Sequence, residues 1–163
     1  MERKRIVTRK GDVFCVEVDN KYKVYFQYIG NDIEQLNSSV IRVFKKHYGM
    51  EDMPSMEEIV QNEIYFHAHT VLKFGIECGA WYKVGKNADV GSEKDVHFRM
   101  FNELNYSEMT KSYNWYIWTM NSPYEFIGEM KEKYLNYDMG FVYPYIEIVE
   151  RIKKGKYPSK QLD

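Results

Sequence analysis

Arg9-Lys10-Gly11-Asp12-Val13-Phe14-Cys15-Val16-Glu17-Val18, then Asp19-Asn20, then Lys21-Tyr22-Lys23-Val24-Tyr25-Phe26-Gln27-Tyr28-Ile29-Gly30, is the stretch that decides the fold. Two runs rich in β-branched and aromatic residues flank a turn dipeptide, the pattern of a β-hairpin. Successive strand residues point to opposite faces, so Tyr22, Val24, Phe26 and Tyr28 share one face and Lys23, Tyr25 and Gln27 the other. The first set is expected to pack inward with Phe14, Val16 and Val18. The second is the set a partner could meet.

Outward from the hairpin, residues 5–9 read as a preceding strand. Residues 39–45 lean to strand because Val40, Ile41, Val43 and Phe44 are β-rich. Ser55 followed by Glu58 is a capping-box start for a short helix near 55–61. Residues 63–73 alternate as a strand. Residues 113–127 read as an aromatic strand, a turn at Asn121-Ser122-Pro123 and a returning strand, and Met139 to Tyr143 is a further short candidate. Tyr145, Ile148, Val149 and Ile152 follow helical spacing, and Gly155 ends that helix after Lys153 and Lys154. The polar stretch 86–112 reads as a long surface excursion with short elements of its own. There is no internal repeat. The expected architecture is α+β: a strongly bent antiparallel sheet, or a partly open SH3-like barrel, with a short helix and a C-terminal helix at 145–154. Antiparallel order is expected because the early connections are too short for crossover helices.

The chain has 163 residues, for which a single domain spanning 1–163 is the expectation. A hydrophobic content of 44% argues against disorder and for an ordinary core. The net charge of −1 supplies no global field toward nucleic acid or a membrane surface. Cys15 and Cys78 lie far apart and outside CxxC spacing, which suggests a reducing compartment. Met1-Glu2-Arg3-Lys4-Arg5 leads into no apolar signal core, and no apolar run is long enough to span a bilayer. The expected location is cytoplasmic, with no membrane partner.

Few residues suggest chemistry. His67-x-His69 on a strand would project two imidazoles from one face, the start of a metal site that needs a third ligand from His47, His97 or a carboxylate. Asp12 after Gly11 is expected to bond turn N–H groups. Cys15 reads as a packed thiol, because a nucleophile would need a lowered pKa and a nearby base. Gly75, Gly79 and Gly85 match no phosphate loop. The carboxylates Glu17, Glu51, Asp52, Asp89, Glu93 and Asp95 show no acid–base pair spacing. No catalytic residue and no cofactor is expected. The remaining candidate is a face combining Lys21, Lys23, Tyr25 and Gln27 with Trp115, which could stack unpaired bases or anchor a protein. At least one of Trp115 and Trp118 should be core.

Lys10-Gly11-Asp12-Val13-Phe14-x-Val16, followed by Tyr25-Phe26-Gln27-Tyr28, resembles a group of bacterial immunity proteins. The resemblance covers mainly residues 10–30. It implies a small cytoplasmic protein encoded beside a polymorphic toxin, which it neutralises by direct binding. Acidic residues at 51–52 and 89–95 would then complement a basic toxin and raise the association rate.

Three functions follow as expectations. The first is an immunity-type inhibitor with a protein partner, its cognate toxin. The second is a single-stranded RNA-binding β-barrel using Lys21, Lys23, Tyr25 and Trp115, against which the near-neutral charge counts. The third is a metal-dependent hydrolase using His67 and His69. Oligomeric state is left open by the sequence.

Overall fold

The computed structural model describes residues 4–163. The opening hairpin forms as expected: β1 (Asp12–Val18) pairs with β2 (Tyr22–Asp32), from Val13 opposite Gln27 to Val18 opposite Tyr22. Asp19 and Asn20 both adopt positive φ, the conformation that a tight turn between twisted strands requires and that Asn and Asp tolerate. Gly11, at φ +100°, lies so near the Asn87 carbonyl that an added Cβ would stand 2.7 Å from its oxygen. Asp12 is buried and accepts the Arg9 N–H at 2.8 Å, the turn-fixing role expected of it, with Lys83 Nζ 3.0 Å away.

β3 (Ser38–Phe44) and β5 (Ile64–His69) extend this sheet on one side and β6 (Tyr82–Lys86) on the other, giving the order β5-β3-β2-β1-β6. The short β4 (Tyr48–Gly49) pairs with the start of β2. Register shifts at Val13/Phe14, Tyr28/Gly30 and Val43/Phe44 bend the sheet, because an extra residue on one strand increases local twist. A second sheet, β10-β7-β8-β9, is built from β7 (His97–Phe101), β8 (Trp115–Thr119), β9 (Glu125–Gly128) and β10 (Asp138–Met139), with only β10–β7 parallel. The architecture is therefore α+β with a bent antiparallel sheet and a C-terminal helix, but two sheets rather than one, and no closed barrel.

Three helices complete the fold: α1 (Met56–Val60), α2 (Leu72–Glu77) and α3 (Tyr145–Lys154). Ser55 caps α1 as its sequence suggests, its hydroxyl accepting the Glu58 N–H at 3.2 Å. Ser55→Ala should cost about 1 kcal/mol, read as a lower urea midpoint at unchanged slope. α3 ends at Gly155 in the left-handed conformation with three basic residues in its last turn.

Three expectations are corrected. Residues 5–9 form no strand, since the outer edge of β1 is taken by β6. Residues 63–73 are not one strand: β5 stops at His69, the Thr70 hydroxyl donates to the Tyr143 carbonyl at 2.7 Å, and the chain turns into α2. The 86–112 stretch has short elements of its own, as expected, but it does not lie wholly on the surface: around and within β7, Val96, Phe98 and Phe101 are buried. Its alternation is disguised by Arg99, whose guanidinium lies over the Trp115 ring (5.3 Å to the centroid) while its Nε donates to the Tyr137 carbonyl.

The main core holds the expected inward set, Phe14, Val16, Val18, Val24, Phe26 and Tyr28, packed with Trp81, Phe101, Trp115, Ile148 and Ile152. The opposite face of the first sheet is covered as well. Val13, Cys15 and Tyr25 pack with Phe44, Tyr48, Ile59 and Val60 from β3, β4 and α1. A third cluster closes the junction of the two sheets, where Ile29 and Val40 meet Phe98, Trp118 and Met120.

Candidate partner interface

The covered second face displaces the partner site expected from the sequence. Lys23, Tyr25 and Gln27 are buried, and of that hairpin set only Lys21 is exposed. Lys23 Nζ donates to the Asp52 carbonyl. Burial, with Cys15 beside it, pushes the Tyr25 hydroxyl up to about 12. Gln27 lies within a buried polar network. Its amide donates to the Gly11 and Asn87 carbonyls at 3.2 and 2.9 Å, and its Oε1 accepts from Arg42 Nε at 2.9 Å. Trp115 is 0% exposed, and Trp118 is buried too. Lys21, Lys23, Tyr25, Gln27 and Trp115 thus do not form one accessible surface, and the base-stacking platform drawn from them is not assembled. Cys15 is a buried free thiol, and burial raises its pKa.

The two histidines also part company. His67 Nδ1 lies 3.5 Å from Asp138, and that carboxylate accepts the His67 backbone N–H and binds Arg151 from α3. His69 is fully buried against Phe98, with Nε2 2.9 Å from Asp32. Asp32 also accepts from Trp118 Nε1 at 2.8 Å and the Asn121 N–H at 3.0 Å. Burial alone would raise its pKa, but these hydrogen bonds and His69 outweigh that and hold it below the ordinary carboxylate value. Both carboxylates serve as clasps between the two sheets. Among the described residues no three His, Cys, Asp or Glu side chains gather as a metal ligand set.

What the fold does present is the outer face of the second sheet. On β8, Trp115 faces the main core, so Tyr116 faces the other way, on the side where Trp118 is buried at the sheet junction. Tyr116 meets Tyr124 edge-on at 5.1 Å and Phe126 at 5.2 Å between ring centroids. Tyr124 and Phe126 are 59% and 55% exposed, which leaves a row of rings open to solvent. Beside them a shallow cavity of about 200 Å³ is lined by Gln35, Met100, Asn102, Tyr116, Trp118 and Tyr124. The β2–β3 turn is fastened to this face through the Ile33 N–H bonding the Asn121 side chain at 2.7 Å, and it carries the exposed Ile33 and Leu36. Glu93 from the 89–95 loop accepts from Asn121 Nδ2 at 3.0 Å, and Glu125 is exposed on β9 at the sheet edge, paired with Ile117 and so on the other side of the sheet from the rings.

Rings with polar tips, backed by a rigid sheet and with charge nearby, have the composition of a protein-binding hot spot. The sequence draws attention to this strand through Trp115, whereas the ring on its other face is that of Tyr116. Trp115 and Tyr116 are equally aromatic, and only the packing of the core decides which of them faces outward. A second apolar groove, about 330 Å³ between α2 and the start of α3, is lined by Val71, Phe74, Cys78, Val142, Pro144 and Tyr145.

The scaffold is β-rich α+β, with an open pair of rings on its second sheet. The family comparison places it further. The model of immunity protein 26 matches residues 9–109, more than half of the 163-residue chain, and the chain belongs to that family. No curated protein and no solved structure matches. Among the described residues no helix is long and apolar enough to cross a membrane.

Proposed function

We propose that this protein neutralises a toxin by binding it directly, through the aromatic face formed by Tyr116, Tyr124 and Phe126. Membership of the immunity protein 26 family supports the toxin as partner, and the open ring row is the observation that carries the choice of surface. Glu93 on the neighbouring loop and Glu125 at the sheet edge suit a basic toxin such as a nuclease, whose approach they would accelerate. The protein acts in the cytoplasm, where such a toxin would do its damage.

The partner to test is the toxin encoded beside its gene. Purified protein should form a stoichiometric complex with that toxin and protect cells expressing it. Tyr124→Ala should weaken binding by about 2 kcal/mol, roughly 30-fold, since a truncated central ring at an interface typically costs that much. The exposed position leaves the thermal midpoint unchanged. Phe74→Asp, in the groove between α2 and α3, should leave binding intact. A toxin bound equally well by Tyr124→Ala and lost on Phe74→Asp would move the interface to that groove.

A further inference from the structure

The two sheets have four outer strands. β5 and β10 lie against each other, with the His67 N–H donating to Asp138 and the Tyr143 N–H to the His69 carbonyl, which leaves β6 and β9 as the longer open edges. Alternate residues of an edge strand direct their N–H and C=O groups away from the sheet, a template for one more strand. The two edges differ in how they are defended. β6 carries Lys83 and Lys86 within five residues, cations that discourage strand pairing. β9, Glu125-Phe126-Ile127-Gly128, carries no Lys or Arg, and its Phe126 stands open beside Tyr116 and Tyr124. Its exposed carboxylate, Glu125, makes no ion pair with any of the described residues.

From these observations we infer that the outer edge of β9 is completed by an extended basic segment of the bound partner, added as a fifth strand of the second sheet. This rests on the toxin-binding reading and gives it a recognition mode. Main-chain hydrogen bonds to β9 supply the register, and side chains of the segment at alternate positions fall on the ring row. A Lys or Arg of the segment meets Glu125. A second copy of this chain is the poorer occupant, because its β9 carries no Lys or Arg to meet the unpaired Glu125, whereas a basic segment does.

The test is hydrogen–deuterium exchange of the full-length protein, alone and mixed with the neighbouring toxin, together with association kinetics of Glu125→Arg. The proposal expects the amides of residues 125–128 to slow at least 10-fold in the complex while those of 82–86 do not change. It expects Glu125→Arg to lower the association rate at least 10-fold at low salt, with the difference shrinking as salt is added. A complex that forms without protecting β9, or that protects β6 instead, overturns strand addition while leaving toxin binding in place. β9 amides already protected in the protein alone, at the mass of two chains, overturn it in favour of self-pairing. Absence of any complex with the wild-type chain overturns the toxin-binding reading itself, and the inference with it.

Discussion

Replacing Asp32 with Ala should cost about 3–5 kcal/mol, a large part of the roughly 5–15 kcal/mol that holds a typical domain folded. The carboxylate is fully buried and accepts from His69, Trp118 and the Asn121 backbone, joining β2, β5 and the β8–β9 hairpin at one point. Removal leaves an imidazole, an indole N–H and a peptide N–H buried without an acceptor, each costing on the order of 1–3 kcal/mol. Asp32→Asn keeps the shape but turns an amide NH2 toward other donors, so it should recover only part of the loss. Urea unfolding at neutral pH measures both variants.

The same group sets an acid dependence. Its folded pKa lies below the ordinary value, so its ionised form stabilises the fold fully above the unfolded aspartate pKa of about 3.9. That contribution is lost as the pH falls through the lower folded value. Wild-type stability should therefore decline below about pH 4 more steeply than that of Asp32→Asn, which has no proton to take up at this site. Parallel declines would show that the carboxylate is not held in its ionised form by the junction.

Gly75→Ala should destabilise the protein by about 2 kcal/mol even though it removes a glycine from a helix. On propensity alone the change would favour α2 by about 1 kcal/mol. Packing opposes it and wins. A Cβ at position 75 would lie 2.0 Å from two atoms of the Trp81 indole, far inside contact distance. Trp81 cannot readily retreat, since its ring is buried edge-on against Phe26 and its Nε1 donates to the Leu72 carbonyl at 3.1 Å. Overpacking of this kind costs typically 1–3 kcal/mol and occasionally more. A double-mutant cycle with Trp81→Phe separates the two effects: the smaller ring should relieve the clash, so the pair should lose less than the sum of the single changes. Additive losses would mean that the indole is not what Gly75 accommodates.

Both predictions concern contacts that the sequence does not display. Gly75 matches no phosphate loop by its spacing, and only the structure shows Trp81 lying over it. Asp32 ends β2, and only the arrival of His69 and Trp118 from distant strands makes it a junction. His67 and His69 share a strand at a spacing suited to a metal, yet Asp138 and Asp32 come from different parts of the chain and engage them separately. The burial of β7 has the same origin. Arg99 looks like a solvent residue until the Trp115 ring takes its guanidinium.

The sequence by itself determined the local grammar of this protein. The alternation on either side of Asp19-Asn20 set the hairpin, its register and its inward residues, because a period of two is a property of the strand alone. Ser55 and Gly155 marked helix ends, because a cap acts on the backbone groups nearest to it in the chain. The Gly11-Asp12-Val13-Phe14 opening carried the family resemblance. Tertiary structure decided what became surface. β1 and β2 each have a second apolar or polar face, and nothing local says whether it meets water. Ile59, Val60, Tyr48 and Phe44 arrive from later in the chain to cover Cys15 and Tyr25, while among the described residues no distant element buries Tyr124 and Phe126. Polarity and period are written residue by residue, but burial depends on which remote segment docks, so the outward face is fixed only when the whole chain has packed.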